Sequence, residues 1–198
     1  MEETTKKRAV IAEDEGMTIL LLRRALAAAG YDEARAVPDG EQAVLAAREL
    51  KPDFMVMDIN MPRMTGIEAA RLITAERPVP IVMLTAYSEQ SLVEEAIEAG
   101  ACAYLVKPVA LEQVAPAVRT ALARFEVLTA AQKENDDLRD ALETRKLVER
   151  AKGILGQRLN LSEADAFRRL QKTARDKSQP LKKVALEIVQ ADELLGSL

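Results

Sequence analysis

The chain has 198 residues, with 28 Lys and Arg against 32 Asp and Glu, and no histidine. Without histidine, a Ser-His-Asp triad, a histidine-ligated metal and an internal phosphohistidine relay are excluded. The lone Cys102 excludes an intrachain disulfide or multi-cysteine zinc site and fits a reducing compartment, and 3% aromatic residues with no tryptophan leave little to stack single-stranded nucleic acid.

The first residues, MEETTKKRAVIAEDEG, lack a signal-peptide apolar region, and no apolar run reaches the roughly 20 residues that span a bilayer. A soluble cytoplasmic protein with no membrane partner is expected. Up to about residue 110, five short β-type runs follow: Ala9–Ala12, Glu33–Val37, Phe54–Asp58, Pro80–Ala86 and Ala103–Val106. Several are apolar at consecutive positions, as in strands covered on both faces of a parallel sheet. Between them, Gly16–Ala29, Asp39–Leu50, Thr65–Arg77 and Ser88–Ala99 have apolar residues at helical spacing. Gly30 and Gly100 supply stop signals, and Asp39 and Ser88 supply caps. The alternation predicts an α/β fold with a doubly wound, five-stranded parallel sheet. Met55, Met57, Met61, Met64 and Met83 read as core and loop packing, and Cys102 as an inert thiol.

From Leu111, apolar residues recur at 114, 118, 121, 125 and 128, then shift by one to Ala131, Asn135, Leu138 and Leu142. This predicts a continuous helix from about Leu111 to about Leu159. Its middle can pair as a short coiled coil with Asn135 on the seam, or lie as a single helix against its own domains. Ser162 with Glu163 opens a second helix to about Lys177, and Pro180 a third to about Leu195. The stripes Leu147, Val148, Ala151, Ile154, Leu155, then Ala166, Phe167, Leu170, Ala174, then Leu181, Val184, Ala185, Ile188 can close a small all-α core. Helical wheels leave Lys146, Arg150, Lys152, Arg168, Lys172, Arg175, Lys182 and Lys183 outside. The expected divisions are a first domain over residues 1–125, a connecting helix over 111–144 that overlaps it, and an end domain over 145–198.

Charge follows these divisions. Residues 1–125 carry a net −5, residues 126–144 a net −4, and residues 145–183 have 12 basic against 4 acidic side chains, a net +8. Such a block suits a polyanionic partner or a solvated helix face.

In an open α/β sheet, ligands sit beyond the carboxyl ends of the strands. Glu13 and Asp14, then Asp58, Thr85 and Lys107, stand at those ends. Three carboxylates repel one another unless a cation joins them, and an all-oxygen set favours Mg²⁺. A hydroxyl and an ammonium across the same cavity complement phosphoryl oxygens. Together they describe a site where an aspartate accepts a phosphoryl group.

Residues 8 to about 125 resemble the receiver domain of two-component response regulators. The motifs are AEDEG with the acidic pair, VMDINMPRMTG with Asp58, Pro62 and Gly66, MLTAYS with Thr85, and YLVKP with Lys107 before Pro108. The resemblance implies a flavodoxin-like receiver phosphorylated on Asp58 by a sensor histidine kinase. It implies Mg²⁺ held by Glu13, Asp14, Asp58 and the Asn60 backbone carbonyl, with Thr85 and Lys107 contacting the phosphoryl group. Tyr104 falls at the family's switching aromatic, and the Lys107–Pro108 bond is usually cis there. Such a protein is a phosphoacceptor rather than an enzyme. The Glu13–Asp14 pair departs from the Asp-Asp of many receivers.

The end domain, read from its helices alone, suits a helix-turn-helix or an RNA-reading module. Phe167 lies on the apolar stripe, which favours a core role over base stacking. The segments RKLVERAKGIL and LSEADAFRRLQKTARDKSQPLKKVA resemble an ANTAR domain, the RNA-binding output of transcription antiterminators. The resemblance implies binding to a hairpin-containing leader RNA, with RNA polymerase a further candidate partner. Arg145, Lys146, Lys152, Arg168, Lys172 and Arg175 are the expected RNA contacts. Homodimerisation on phosphorylation is expected through the connecting helix. The alternatives are a duplex-DNA-binding regulator and a receiver acting on a protein partner.

Overall fold

Each apolar run read as a strand forms one. In the computed structural model, which describes residues 8–86 and 90–196, the strands are β1 (Arg8–Ala12), β2 (Asp32–Val37), β3 (Phe54–Asp58), β4 (Ile81–Thr85) and β5 (Ala103–Val106). All pairings are parallel, in the order β2-β1-β3-β4-β5. Pro80 sits just before β4 because it has no N–H for the ladder, yet its carbonyl accepts from Met55 N at 2.9 Å.

The helices are α1 (Gly16–Ala28), α2 (Gly40–Leu50), α3 (Gly66–Glu76), α4 (Gln90–Glu98), α5 (Leu111–Leu159), α6 (Glu163–Asp176) and α7 (Leu181–Gly196). Asp39 caps α2, accepting from Gln42 N at 2.8 Å. Ser88, the cap expected for α4, lies outside the described residues. Gly30 and Gly100 close α1 and α4 at φ +84° and +99°. After α1, Tyr31 N reaches the Leu26 carbonyl at 2.9 Å and Gly30 N the Ala27 carbonyl at 3.0 Å, a Schellman ending.

The pleat sorts the three central strands, β1, β3 and β4, between two cores. Val10 and Ala12, Met55 and Met57, Ile81 and Met83 pack with residues of α2, α3 and α4. Ala9 and Ile11, Phe54 and Val56, Val82 and Leu84 pack with Leu22, Ala25 and Leu26 of α1 and Val114, Val118 and Ala121 of α5. With both faces covered, these three strands need no polar alternation, whereas β5 leaves Tyr104 and Val106 exposed. The methionines at 55, 57 and 83 are fully buried packing residues, as expected.

The chain divides into two compact units, Met1–Thr129 and Ala130–Leu198. In the second, Val148, Ala151, Leu170, Ala185 and Val189 form a core flanked by Leu147, Ile154, Leu155, Phe167, Leu181 and Ile188. Val189 was not on the expected stripe. Along α5, the stripe is buried at Val114, Val118 and Ala121 and again at Val148 and Ala151, whereas Leu128, Leu138 and Leu142 between them are exposed. Among the described residues, no helix is long and apolar enough to cross a membrane.

Candidate functional site

The sheet order reverses between β1 and β3, the position where open α/β sheets bind ligands. Glu13 and Asp14 follow β1, Asp58 ends β3, Thr85 ends β4 and Lys107 follows β5. Glu13, Asp58 and Thr85 are buried, and Asp14 is exposed. Lys107 Nζ lies 2.7 Å from Glu13 Oε2 and 3.0 Å from Asp58 Oδ2. One oxygen from each of Glu13, Asp14 and Asp58 falls within 4.8 Å of the others.

Burial is the leading cause that pushes the Glu13 carboxyl above its ordinary range; the Asp58 charge adds to it, while Lys107 and the Glu15 N–H oppose it. Burial likewise raises Asp58, against the Lys107 ammonium and the Ile59 and Asn60 N–H groups. For Lys107, burial pulls down, but hydrogen bonds and charge from Glu13 and Asp58 outweigh it and raise its affinity for the proton. Lys107 therefore stays an ammonium at neutral pH, and one ammonium faces three carboxylates. Glu13 Oε2 is buried, and among the described residues its one close partner is the Lys107 ammonium. A surplus of hard oxygen donors, one of them buried and under-satisfied, fits a small divalent cation such as Mg²⁺.

The loop after Asp58 is held from behind. Gly66 N donates to the Ile59 carbonyl at 2.9 Å, and a Cβ at Gly66 would lie 2.0 Å from the Asp58 carbonyl oxygen. Thr65 and Glu68 form a capping box that starts α3 there. Arg63, in the left-handed region at φ +66°, forms an ion pair with the fully buried Asp39. Sequence patterning identified Asp39 as a cap but gave no sign of this tie. Asn60 lies exposed in this loop, two residues past Asp58.

The Lys107–Pro108 bond is cis. Tyr104 is 49% exposed, and Cys102 is buried with its thiol pushed up by burial, in keeping with an unreactive role. Beside Lys107, a groove is lined by Met17, Leu20 and Leu21 of α1 together with Pro108, Val109 and Leu111. Met17 and Leu20 are exposed along it.

In the second unit, α6 turns Ala166, Leu170 and Ala174 inward and Arg168, Arg169, Lys172 and Arg175 outward. Periodicity alone does not mark Arg169. Arg145 and Lys146 are exposed on α5. Arg145, Lys146, Arg169, Lys172 and Arg175 pair with no carboxylate among the described residues, whereas Arg168 pairs with Asp165 at 2.9 Å. The helical wheel misplaces Lys152. Its side chain is 11% exposed, its ammonium sits 2.9 Å from Glu149 Oε2 and 2.6 Å from Glu163 Oε1, and it stands 5.8 Å over the Phe167 ring.

Comparison with known proteins covers both units. Residues 9–119 match the response regulator receiver domain, and residues 136–189 match the ANTAR domain. The chain is 44% identical over 184 residues to the transcriptional regulatory protein PdtaR of Mycobacterium tuberculosis, covering 93% of this chain and 90% of that one. It is 35% identical over 139 residues to the DNA-binding response regulator MtrA of the same species, covering 68% and 60% respectively. The chemotaxis response regulator CheY4 of Vibrio cholerae superposes with a TM-score of 0.56 at 28% identity, covering 60% of this chain and 100% of that one.

Proposed function

The chain belongs to the response regulators in which a receiver domain is followed by an ANTAR domain, and from this we propose that it regulates transcription through RNA under the control of phosphorylation at Asp58. The observation that carries the first half is the meeting of Glu13, Asp14, Asp58 and Lys107 at the ends of β1, β3 and β5, with Thr85 ending β4 between the last two strands.

The chemistry follows from that pocket. The chain has no histidine, so a phosphohistidine donor must be another protein, a sensor histidine kinase. The groove beside Lys107, with Met17 and Leu20 exposed, offers such a donor an apolar seat next to the acceptor. An Asp58 carboxylate oxygen attacks phosphorus, the P–N bond of the donor breaks, and the donor imidazole keeps the electron pair. Mg²⁺, held by Glu13, Asp14, Asp58 and the Asn60 carbonyl, would neutralise charge on the phosphoryl oxygens during transfer. Lys107 moves from its carboxylate pairs to a phosphoryl oxygen, and the Thr85 hydroxyl donates to another. The new group adds roughly −1.5 to −2 charge in a buried place, by analogy with other phosphorylated side chains. Thr85 is drawn towards it, and the half-exposed Tyr104 turns into the space behind.

The output is RNA. The ANTAR match over 136–189 supports this reading, as do the exposed Arg169, Lys172 and Arg175 on one side of α6 with no carboxylate partners among the described residues. Cations that track phosphates give salt-dependent binding, and a hairpin leader whose terminator is prevented from forming is the proposed target. The name of MtrA keeps duplex DNA as the second reading.

Labelling with an acyl-phosphate donor tests the acceptor. Wild-type protein in Mg²⁺ gains one phosphoryl mass, while Asp58→Ala and the chelator-treated wild type gain none. Retained labelling of Asp58→Ala contradicts the assignment.

A further inference from the structure

The sequence ranks Lys152 with the phosphate-tracking cations of the end domain, but its surroundings differ from theirs. Its stem is nearly enclosed, and its ammonium is shared between Glu149, one turn earlier on α5, and Glu163, the first residue of α6. Below it lies the ring of Phe167, which packs against the core of Val148, Ala151, Leu170, Ala185 and Val189. An ammonium with two carboxylates and an aromatic face has little charge left for a phosphate. Arg145, Lys146, Arg169, Lys172 and Arg175 have no such partners among the described residues.

The contacts of Lys152 join two elements across a turn. The chain leaves α5 at Leu159, passes Asn160 in the left-handed region at φ +51°, and enters α6 at the Ser162 cap. Beyond the core contacts, the Lys152–Glu163 pair ties the first residue of α6 back to α5. The cation over Phe167 fixes the next turn of the same helix. Position 152 thus sets the direction in which α6 carries Arg168, Arg169, Lys172 and Arg175, which lie opposite its buried Ala166, Leu170 and Ala174.

We propose that Lys152 is a positioning residue, a clamp that aims the basic side of α6 at the polyanion and does not itself touch it. The consequence for binding rests on the RNA reading above; the clamp itself does not.

The test uses full-length protein, hairpin RNA at a series of salt concentrations, and amide hydrogen exchange over residues 161–176. It is run at a temperature where every variant is folded. Lys152→Met keeps the apolar stem and removes the cation. The expected result is faster exchange in α6 and RNA affinity reduced about ten-fold, with the slope of log affinity against log salt unchanged. Lys152→Arg retains a cation for both carboxylates and the ring, and restores both properties. Lys172→Met, the comparison, lowers the slope by about one phosphate contact and leaves exchange alone. A lowered slope with unchanged exchange in Lys152→Met makes Lys152 a phosphate contact and overturns the proposal. Faster exchange with unchanged affinity makes it merely structural and overturns it equally. If wild-type protein binds no hairpin, the RNA reading falls. The exchange rates of the two Lys152 variants then still decide whether the clamp exists.

Discussion

A Cβ at position 66 would stand 2.0 Å from the Asp58 carbonyl oxygen, so the bare glycine lets the loop after β3 fold back behind the acceptor. Gly66→Ala must push that loop away, and the expected cost is about 3 kcal/mol by urea unfolding, at the upper end for forced overpacking. Glu13 and Asp58 hold their protons more tightly in the folded chain than in the unfolded one, mainly through burial. For acids shifted upward, the contribution to stability is greatest below the unfolded carboxylate range near ~4 and is lost as pH rises through the higher folded values. A cation that favours ionised carboxylates offsets this loss. Melting temperature should therefore rise more on adding Mg²⁺ at pH 8 than at pH 5, and Asp14→Asn should blunt the rise at both. An equal rise in Asp14→Asn would place the ion elsewhere. At this scale the sequence was partly legible. Glu13, Asp14, Asp58, Thr85 and Lys107 announce themselves by standing at strand ends. The Arg63–Asp39 pair and the Lys152 clamp do not, because periodicity carries no record of where a long side chain reaches across a fold.

Elements were read more fully than residues. Strands buried on both faces appear as unbroken apolar runs, and glycines at positive φ end α1 and α4 where the pattern stops. A capping residue stands one position outside the helix whose pattern it opens, as Thr65 does before α3. Thr65→Ala removes half of the capping box and should cost about 1 kcal/mol. The Glu68 carboxyl, held below its usual range by the Thr65 N–H and hydroxyl, should return towards it when followed by NMR titration. In α5, one apolar series serves three settings: the receiver core, an exposed middle and the second core. We propose the exposed Leu128, Leu138 and Leu142 as the seam of a homodimer formed on phosphorylation, with Asn135 in register. The measured mass should double when acyl phosphate is added at micromolar protein and stay monomeric in Leu138→Lys. A monomer in every state contradicts the seam.

On the scale of the whole chain, opposite charges are segregated. An acidic receiver and an acidic stretch of α5 precede a block of net +8 over residues 145–183, and the total of −4 conceals both. Part of the block is spent internally, on Arg150–Glu193, Arg158–Asp192, Lys177–Glu187 and the ties of Lys152 and Lys182. What remains on α6 and at Arg145 and Lys146 is the cationic surface offered to a partner, and the composition alone could not separate the spent cations from the free ones. In the proposed function, phosphate on Asp58 governs binding of this surface to RNA. The direct measurement is the affinity for hairpin leader RNA at fixed salt, with duplex DNA as competitor, before and after acyl-phosphate treatment of wild type and Asp58→Ala. The expected result is a gain of about ten-fold or more in hairpin affinity on treatment, a typical size for coupling between two sites, with hairpin preferred over duplex and no gain in Asp58→Ala. Preference for duplex DNA, or the same gain in Asp58→Ala, would contradict it.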